Sequence, residues 1–208
     1  MRATVLFKIA SVICRPMWSY ELEKGKVIQP GTLLLAEPFM FDENFRRTVV
    51  LICNYNKLEG VVGLILNKPI DLRLTDVIDD FPPFKAKMYL GGPVGTDTLQ
   101  FLHAMGEDIE GTVKLNDHLY WGGNFEQLRS MIHAGQVRET DVKFFLGYAG
   151  WAFEQLHQEL RDNSWIVSRA THRHVFSSDD LNLWKSVMKE MGGIYETMAG
   201  YPESPILN

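Results

Sequence analysis

A glycine-rich stretch, Gly91-Gly92-Pro93-Val94-Gly95, is the part of the sequence most similar to a ligand-binding loop. It follows a short apolar run, so its backbone N–H groups could form a concave site for an anion. The stretch lacks the Lys-Ser/Thr ending of a P-loop and the spacing of a dinucleotide-binding fingerprint. Glycine also lets two backbones approach closely, because it has no Cβ atom. A ligand cradle and a tight structural turn are therefore alternatives.

A second candidate, Asn67-Lys68-Pro69, ends an apolar run that begins at Val61. The residue before a proline favours extended conformations, so Lys68 would project from a defined, non-helical position. The Asn67 side chain can bond to its own downstream backbone. This segment is either part of a binding surface or the exit of a strand.

The histidines are candidates for metal binding. On a strand, His172 and His174 would lie on one face, with Asp179 and Asp180 close in sequence. The spacing specifies no third ligand, and ordinary surface histidines are the alternative. The pattern Glu154-x-x-His157 occurs once, whereas carboxylate-bridged di-iron bundles need two copies. We predict no metal ligands and no cofactor.

A basic stretch runs from Arg161 to His174, and it either contacts phosphate, with Trp165 available for stacking, or forms a solvated face. The net charge of −5 and the lack of a recognisable helix-turn-helix argue against direct contact with nucleic acid.

Nucleophile motifs are absent from the sequence. It contains no Gly-x-Ser-x-Gly elbow, and Cys53 falls within the apolar run Val49–Cys53, where a buried thiol is expected. We therefore predict no catalytic residues, which favours a non-enzyme without excluding an enzyme. The only other cysteine is Cys14, so a reducing compartment, the cytoplasm, is expected.

Strands are predicted where β-branched apolar runs are bounded by turn residues, and helices where apolar residues recur at helical spacing. The predicted strands are Thr32–Ala36, Thr48–Asn54, Val61–Asn67, Lys87–Leu90, Leu99–Ala104 and Val142–Tyr148. The predicted helices are a turn at Leu74–Asp79, a helix between Asn124 and Gly135, the segment Trp151–Arg161, and a helix that follows a Ser177–Asp180 capping box and ends at Gly192. Strands come early and helices late, which indicates an α+β fold.

The chain has 208 residues, of which 46% are hydrophobic and 23% charged, as is ordinary for a globular protein. No apolar run reaches the length of about 18 residues that predicts a membrane-spanning helix. Residues 1–25 are predicted to be an N-terminal extension that is mobile, and residues 26–208 a single globular domain. The sequence leaves open whether residues 1–16 belong to the native protein, since Met17 is an alternative start.

Five segments occur in an order that, together, is specific. They are residues 31–38 (GTLLLAEP), 45–51 (FRRTVVL), 63–69 (GLILNKP), 91–94 (GGPV) and 146–151 (LGYAGW). Over about residues 28–195 the chain resembles the AlgH/YqgE family of bacterial proteins. The resemblance implies a two-layer α+β fold whose bifurcated, mixed β-sheet closes into a pseudo-barrel with flanking helices. It also implies a bacterial cytoplasmic protein, in a family often labelled as transcriptional regulators but without a settled activity.

Three functions remain open: a non-enzymatic binding or regulatory module, which we favour; an enzyme of unrecognised class with a site near residues 67–69 and 91–94; and a direct nucleic-acid-binding regulator. The expected partner is a protein or a small molecule, and no membrane is expected. The candidate binding surface, called the strand-end surface below, comprises Asn67, Lys68, Pro69, Gly91, Gly92, Pro93, Val94, Tyr148, Gly150 and Trp151.

Overall fold

The structure is a computed structural model that describes residues 27–203. The predicted extension at residues 1–25, with Cys14 and Met17, lies outside the described residues, as do residues 204–208. The division into an extension and one domain therefore stays a prediction.

Ten strands and six α-helices are found within the described range. The strands are β1 Thr32–Ala36, β2 Val49–Asn56, β3 Gly60–Ile65, β4 Pro69–Ile70, β5 Met88–Leu90, β6 Val94–His103, β7 Val113–Asn116, β8 Leu119–Trp121, β9 Val142–Trp151 and β10 Trp165–Arg169. The helices are α1 Leu74–Val77, α2 Phe125–His133, α3 Phe153–Arg161, α4 His172–Val175, α5 Leu183–Met191 and α6 Gly193–Ala199.

The sheet is large and mainly antiparallel, with the order β10-β1-β2-β3-β9-β6-β8-β7. It branches at β9, whose first half pairs with β6 and, in parallel, with β5, while its last residues pair with β3. The α+β class is confirmed. The path has two ends, β10 and β7, and no pairing joins them within residues 27–203, so closure of the sheet is not observed.

Both faces of the sheet are covered, which explains why several strands read as nearly continuous apolar runs. Leu33 and Leu35 of β1 face a cluster that includes Trp184 of α5. Leu34, between them, faces the opposite cluster with Leu156 of α3. A third cluster, under α2, packs on Phe144 of β9.

Two local predictions are wrong. The Ser177–Asp180 capping box does not form, because α5 begins only at Leu183 and Asp180 turns its carboxylate into the protein. His172 and His174 do not share a strand face, because Thr171 caps a short helix there through its hydroxyl, which accepts the His174 N–H.

Other differences concern the bounds and number of elements. β6 begins at Val94, five residues before the predicted start at Leu99. The strands β4, β7, β8 and β10 and the helices α4 and α6 were not predicted. Within the part of the chain that the structure describes, no helix has the length and hydrophobicity needed to cross a membrane.

Candidate functional site

The three segments of the strand-end surface lie next to one another. The Leu90 N–H donates to the Lys68 carbonyl at 2.8 Å, and the Gly91 N–H donates to the Leu146 carbonyl at 2.8 Å. Val94 pairs with Tyr148 where β6 meets β9. The branch of the sheet at β9 is what brings them together.

Gly91 and Gly92 are buried at this junction because backbones pass within van der Waals contact of them. A Cβ atom on Gly92 would lie 2.2 Å from the carbonyl carbon of Tyr148, and one on Gly91 would lie 2.3 Å from the Gly147 oxygen. No side chain fits at either position. The Gly91 N–H is also engaged by Leu146, so that donor is not directed toward a ligand. These contacts match the structural-turn alternative.

Asn67 and Lys68 fasten the loop before β2 to the end of β3. The Asn67 amide donates to the Arg47 carbonyl at 2.8 Å and accepts the Val49 N–H at 2.9 Å. The Lys68 ammonium donates to the carbonyls of Glu43 and Asn44 at 3.0 and 2.7 Å. Burial lowers the pKa of Lys68 from its ordinary value, while the Asp42 carboxylate opposes that shift. Both side chains therefore have structural partners.

The rest of the strand-end surface varies in exposure. Pro69, Pro93, Val94 and Gly150 are exposed, and Tyr148 is half-buried. Trp151 is only 5% exposed. As a binding surface, this set of residues stays a prediction.

Glu159 of α3 binds two tryptophans at once. Its carboxylate accepts the indole N–H of Trp151 at 3.0 Å and that of Trp165 at 2.8 Å. The Phe45 ring packs against both indoles, with centroid distances of 5.7 and 5.4 Å. Trp165 is 3% exposed, so its predicted availability for stacking on a nucleobase is wrong.

A cleft of about 700 Å³ opens between the start of β1, the β7–β8 hairpin and the segment that joins β10 to α4. We call it the seam cleft, since it lies between the two end strands of the sheet. The lining residues are Val27, Gln29–Thr32, Leu115–His118 and Val167–His172. A cavity of about 340 Å³ adjoins it, with His118 and His172 in both linings.

The seam cleft is held in shape by a close backbone contact. Gly31 adopts a φ of +85°, and a Cβ atom there would lie 2.7 Å from the Leu115 carbonyl oxygen. Its own carbonyl accepts the Ala170 N–H at 3.1 Å. Gly31 thus joins the turn before β1 to β7 on one side and to β10 on the other.

The lining combines apolar surface with polar groups of both charges. Arg138, in the adjoining cavity, donates two hydrogen bonds to Asp141 at 2.7 and 2.9 Å. Those bonds lower the pKa of Asp141, against the opposing effect of its burial. Arg169, Asp117 and His118 are exposed in the seam cleft. Within residues 27–203, no group of three His, Cys, Asp or Glu side chains is arranged to hold a metal ion.

A buried ion cluster forms a separate candidate. The Lys143 ammonium, 5% exposed, lies 3.4 Å from an oxygen of Asp180, whose side chain is 3% exposed. Lys87 reaches the same carboxylate at 2.9 Å from the surface, and the Lys143 ammonium lies 3.8 Å from the centre of the Tyr89 ring. Burial lowers the pKa of Lys143 to about 8, although Asp180 opposes the shift. Burial, with the Asp180 charge, raises the pKa of Tyr89.

Comparison with known proteins agrees with this architecture. The sequence model of the AlgH-like family matches residues 33–196. The chain belongs to the AlgH-like family. A UPF0301 protein from Chlorobaculum tepidum is 39% identical over 183 residues, which cover 88% of this chain and 97% of that one. A UPF0301 protein from Bacteroides fragilis is 40% identical over 179 residues, covering 86% of this chain and 90% of that one.

Two solved structures resemble the AlgH-like chain. The solution structure of the AlgH protein from Pseudomonas aeruginosa has a TM-score of 0.67 and 30% identity, covering 85% of this chain and 98% of that one. A crystal structure of a protein from Corynebacterium diphtheriae has a TM-score of 0.73, with coverage of 85% and 94%. At 23% identity, it supports the fold alone.

Sequence reasoning missed the main concave features of this AlgH-like protein. The seam cleft depends on β7, β8 and β10, which carry short or mixed patterns and were not predicted. The Lys143 cluster had one signal, a lone lysine inside the apolar run Val142–Phe145. A charged residue at that place indicates a buried, paired ion.

Proposed function

We propose that this AlgH-like protein is a non-enzymatic binding or regulatory module that holds a small polar molecule in the seam cleft. The observation that carries the proposal is the cleft of about 700 Å³ between the two end strands of the sheet. Sites for small molecules are concave and measure about 300–1,000 Å³. The cleft lies within that range.

The composition of the lining supports a polar ligand. Asn116 and Ser168 offer amide and hydroxyl groups, and Arg169 offers a guanidinium. Apolar area is also available from Leu115 and other lining residues. A few oriented polar groups beside apolar walls fix the orientation of a ligand.

Closure of the sheet into a pseudo-barrel is also part of the proposal. We suggest that β10 and β7 act as the two sides of a pseudo-barrel whose seam is the cleft, in keeping with the family resemblance. The support is the approach of Gly31 to Leu115, which brings the two ends of the sheet close. A ligand in the seam would then join the two sides.

The experiment is native mass spectrometry of protein purified gently from its own cells. We expect a bound small molecule that is released on denaturation. Ala170→Trp, which fills the seam cleft, and Arg169→Glu, which reverses its charge, should both lose that mass. Lys185→Glu, an exposed charge reversal on α5 outside the lining, is the matched control. Recovery of the same bound small molecule with Ala170→Trp would contradict the proposal.

A regulatory role in the cytoplasm follows as a further part of the proposal. Cys53 is a free, buried thiol, which suits a reducing compartment. Any effect on transcription would pass through a protein partner, because the chain is acidic and Trp165 is buried. Binding of the purified protein to duplex DNA at low salt, lost as salt is raised, would contradict this indirect route.

One observation favours an enzyme as the second candidate. Lys143, with a pKa of about 8 beside Asp180 and near Tyr89, combines a shifted pKa with a specific charge partner, a pattern that is frequent at functional sites. Tyr89 lies two residues before Gly91 of the strand-end surface. Reductive trapping with borohydride and a panel of small carbonyl compounds tests it. A stable adduct at Lys143, absent in Lys143→Met, would support the enzyme; no adduct with any compound would count against it.

A further inference from the structure

Arg47 has an unusual position just before β2. Its backbone φ is +55°, a left-handed conformation that side chains with a Cβ atom seldom adopt. Its Nε and Nη1 atoms are buried, and neither has a hydrogen-bond partner in the described part of the chain. Strained backbone held in place by its surroundings is concentrated at ligand-binding sites, and buried donors without acceptors are rare.

The Arg47 side chain lies on a rigid aromatic platform. Its guanidinium carbon is 4.1 Å from the centre of a Trp184 ring. The Trp184 indole is itself fixed, since its N–H donates to the Ala36 carbonyl at 2.8 Å in the core. Stacking on an aromatic face fixes the plane of a guanidinium and leaves its edge free to bind an anion.

That edge is covered by the carboxyl-terminal strap, which we define as residues Tyr201–Glu203. The Arg47 Nη2 atom donates to the carbonyls of Tyr201 and Pro202 at 2.9 and 2.7 Å. Burial lowers the pKa of Arg47, and the charges of Glu203 and Glu37 only partly oppose that shift. Within residues 27–203, the guanidinium therefore has neutral acceptors on one nitrogen and no acceptor on the other two.

The strap is attached by few contacts. The Tyr201 ring stacks on Phe39, with centroids 5.7 Å apart, and Pro202 and Glu203 are exposed. Besides the two carbonyl bonds to Arg47, the strap continues from α6 through the exposed Gly200. Tyr201 also packs against the core cluster that contains Trp184, so displacement of the strap must release that contact as well.

We propose that Arg47 is the binding residue of a covered oxyanion site, and that the carboxyl-terminal strap occupies it in competition with the ligand. The ligand is a carboxylate or phosphate group, because the planar fork of a guanidinium matches two oxygens of such a group. Both two-nitrogen edges of the guanidinium include Nη2, so an oxyanion that replaces the strap carbonyls would bind Nη2 together with either Nε or Nη1. This site is separate from the seam cleft, so the proposal does not depend on the function proposed above.

The test follows the Arg47 Nε–H signal and the amide signals of Tyr201 and Glu203 by NMR. Sodium phosphate is titrated at constant ionic strength, and sodium acetate in a parallel series. We expect weak, saturable shifts in the wild type. We also expect at least about five-fold tighter binding in Tyr201→Ala, which loses the Phe39 stack. The reason is that the apparent affinity equals the intrinsic affinity multiplied by the fraction of molecules whose strap is open, and the variant raises that fraction. Whichever anion binds identifies the oxyanion source.

Three variants keep the test decisive. Arg47→Lys, which keeps the charge but loses the fork, should weaken binding more than ten-fold. Arg46→Lys is the matched control, because Arg46 is exposed and should bind as the wild type does. Arg169→Glu in the seam cleft should leave the strap signals unchanged. Equal affinity in the wild type and Tyr201→Ala, undiminished binding by Arg47→Lys, or no shift with either anion would overturn the proposal.

Discussion

The strand-end surface and the seam cleft use polar groups in opposite ways. At the strand-end surface, Asn67 and Lys68 donate hydrogen bonds to backbone carbonyls of a neighbouring loop. Gly91 and Gly92 allow neighbouring backbones to come into close contact. At the seam cleft, exposed side chains such as Arg169 and His118 line an open cavity. The residues that are most distinctive in the sequence thus shape the fold, whereas ordinary polar residues line the concave surface.

The difference has a physical origin. A backbone crossing as tight as the one at Gly92 tolerates one residue type, so it produces a recognisable motif. A cavity wall tolerates many residue types, so it produces none. Variants can therefore test the contrast: they should damage stability at the strand-end surface and binding at the seam cleft.

The largest expected effect is that of Gly92→Ala. The added Cβ atom would meet the Tyr148 backbone at 2.2 Å, where no flexible side chain can yield. We expect a loss of about 3 kcal/mol or more in the free energy of unfolding, from overpacking and from the displaced backbone. Urea denaturation followed by circular dichroism measures it.

Gly135→Ala is the control for that variant. Gly135 also has a positive φ, of +69°, but no atom of residues 27–203 lies within 4 Å of its Cβ position. It should lose only about 1 kcal/mol, the cost of a left-handed conformation alone. Equal losses of unfolding free energy for the two variants would show that the backbone crossing at Gly92 is not tightly packed. That result would favour the alternative in which the glycine-rich stretch is a ligand cradle.

The α+β class and the six predicted strands follow from the sequence because β-branched apolar runs such as Val49–Cys53 are buried on both sheet faces. Asp180 illustrates a limit of prediction from local sequence spacing. Its spacing from Ser177 suits a helix cap, yet the carboxylate binds Lys143 and Lys87, which lie 37 and 93 residues away in sequence. Pairing over such separations is decided by the folded sheet.

The candidate sites were less predictable than the fold. Three of the five ordered motifs, residues 63–69, 91–94 and 146–151, contain the strand-end surface, since close backbone contacts restrict residue type there. The seam cleft depends instead on β7, a four-residue edge strand with only Leu115 buried. Alternation over so short a strand is too weak a signal to distinguish it from a loop.

Lys143 lies on β9, two residues after Asp141 of the cavity that adjoins the seam cleft. Its folded pKa of about 8 is below the unfolded value of 10.5, so the unfolded chain binds more protons above pH 8. Stability should therefore rise with pH from 8 to 10, by about 2 kcal/mol relative to Lys143→Met. Denaturation at a series of pH values measures this difference, and a flat or falling difference contradicts a desolvated lysine.

Asn67→Ala should change the free energy of unfolding by an amount similar to, or smaller than, the pH-dependent change expected for Lys143. It removes two hydrogen bonds and leaves the Arg47 carbonyl and the Val49 N–H without their partner. We expect a loss of about 2 kcal/mol, the usual penalty for unsatisfied buried groups. Asn182→Ala is the control, since Asn182 is exposed and bonds only to the exposed Asp179 side chain; its loss should stay below about 0.5 kcal/mol. Equal losses of unfolding free energy in Asn67→Ala and Asn182→Ala would contradict the structural role of the Asn67 hydrogen bonds.

The smallest effect on stability is expected at the seam cleft, from His118→Ala. His118 is exposed and belongs to the lining of both cavities, so its removal should change the free energy of unfolding by less than about 0.5 kcal/mol. Retention of the bound small molecule should nevertheless fall, because the side chain lies where the two cavities meet. His133→Ala, at the exposed end of α2 and outside both linings, is the matched control. Native mass spectrometry and thermal unfolding on the same samples separate the two effects. A variant that loses stability but keeps its ligand would reverse the contrast between the regions, because the seam cleft would then be the structural element.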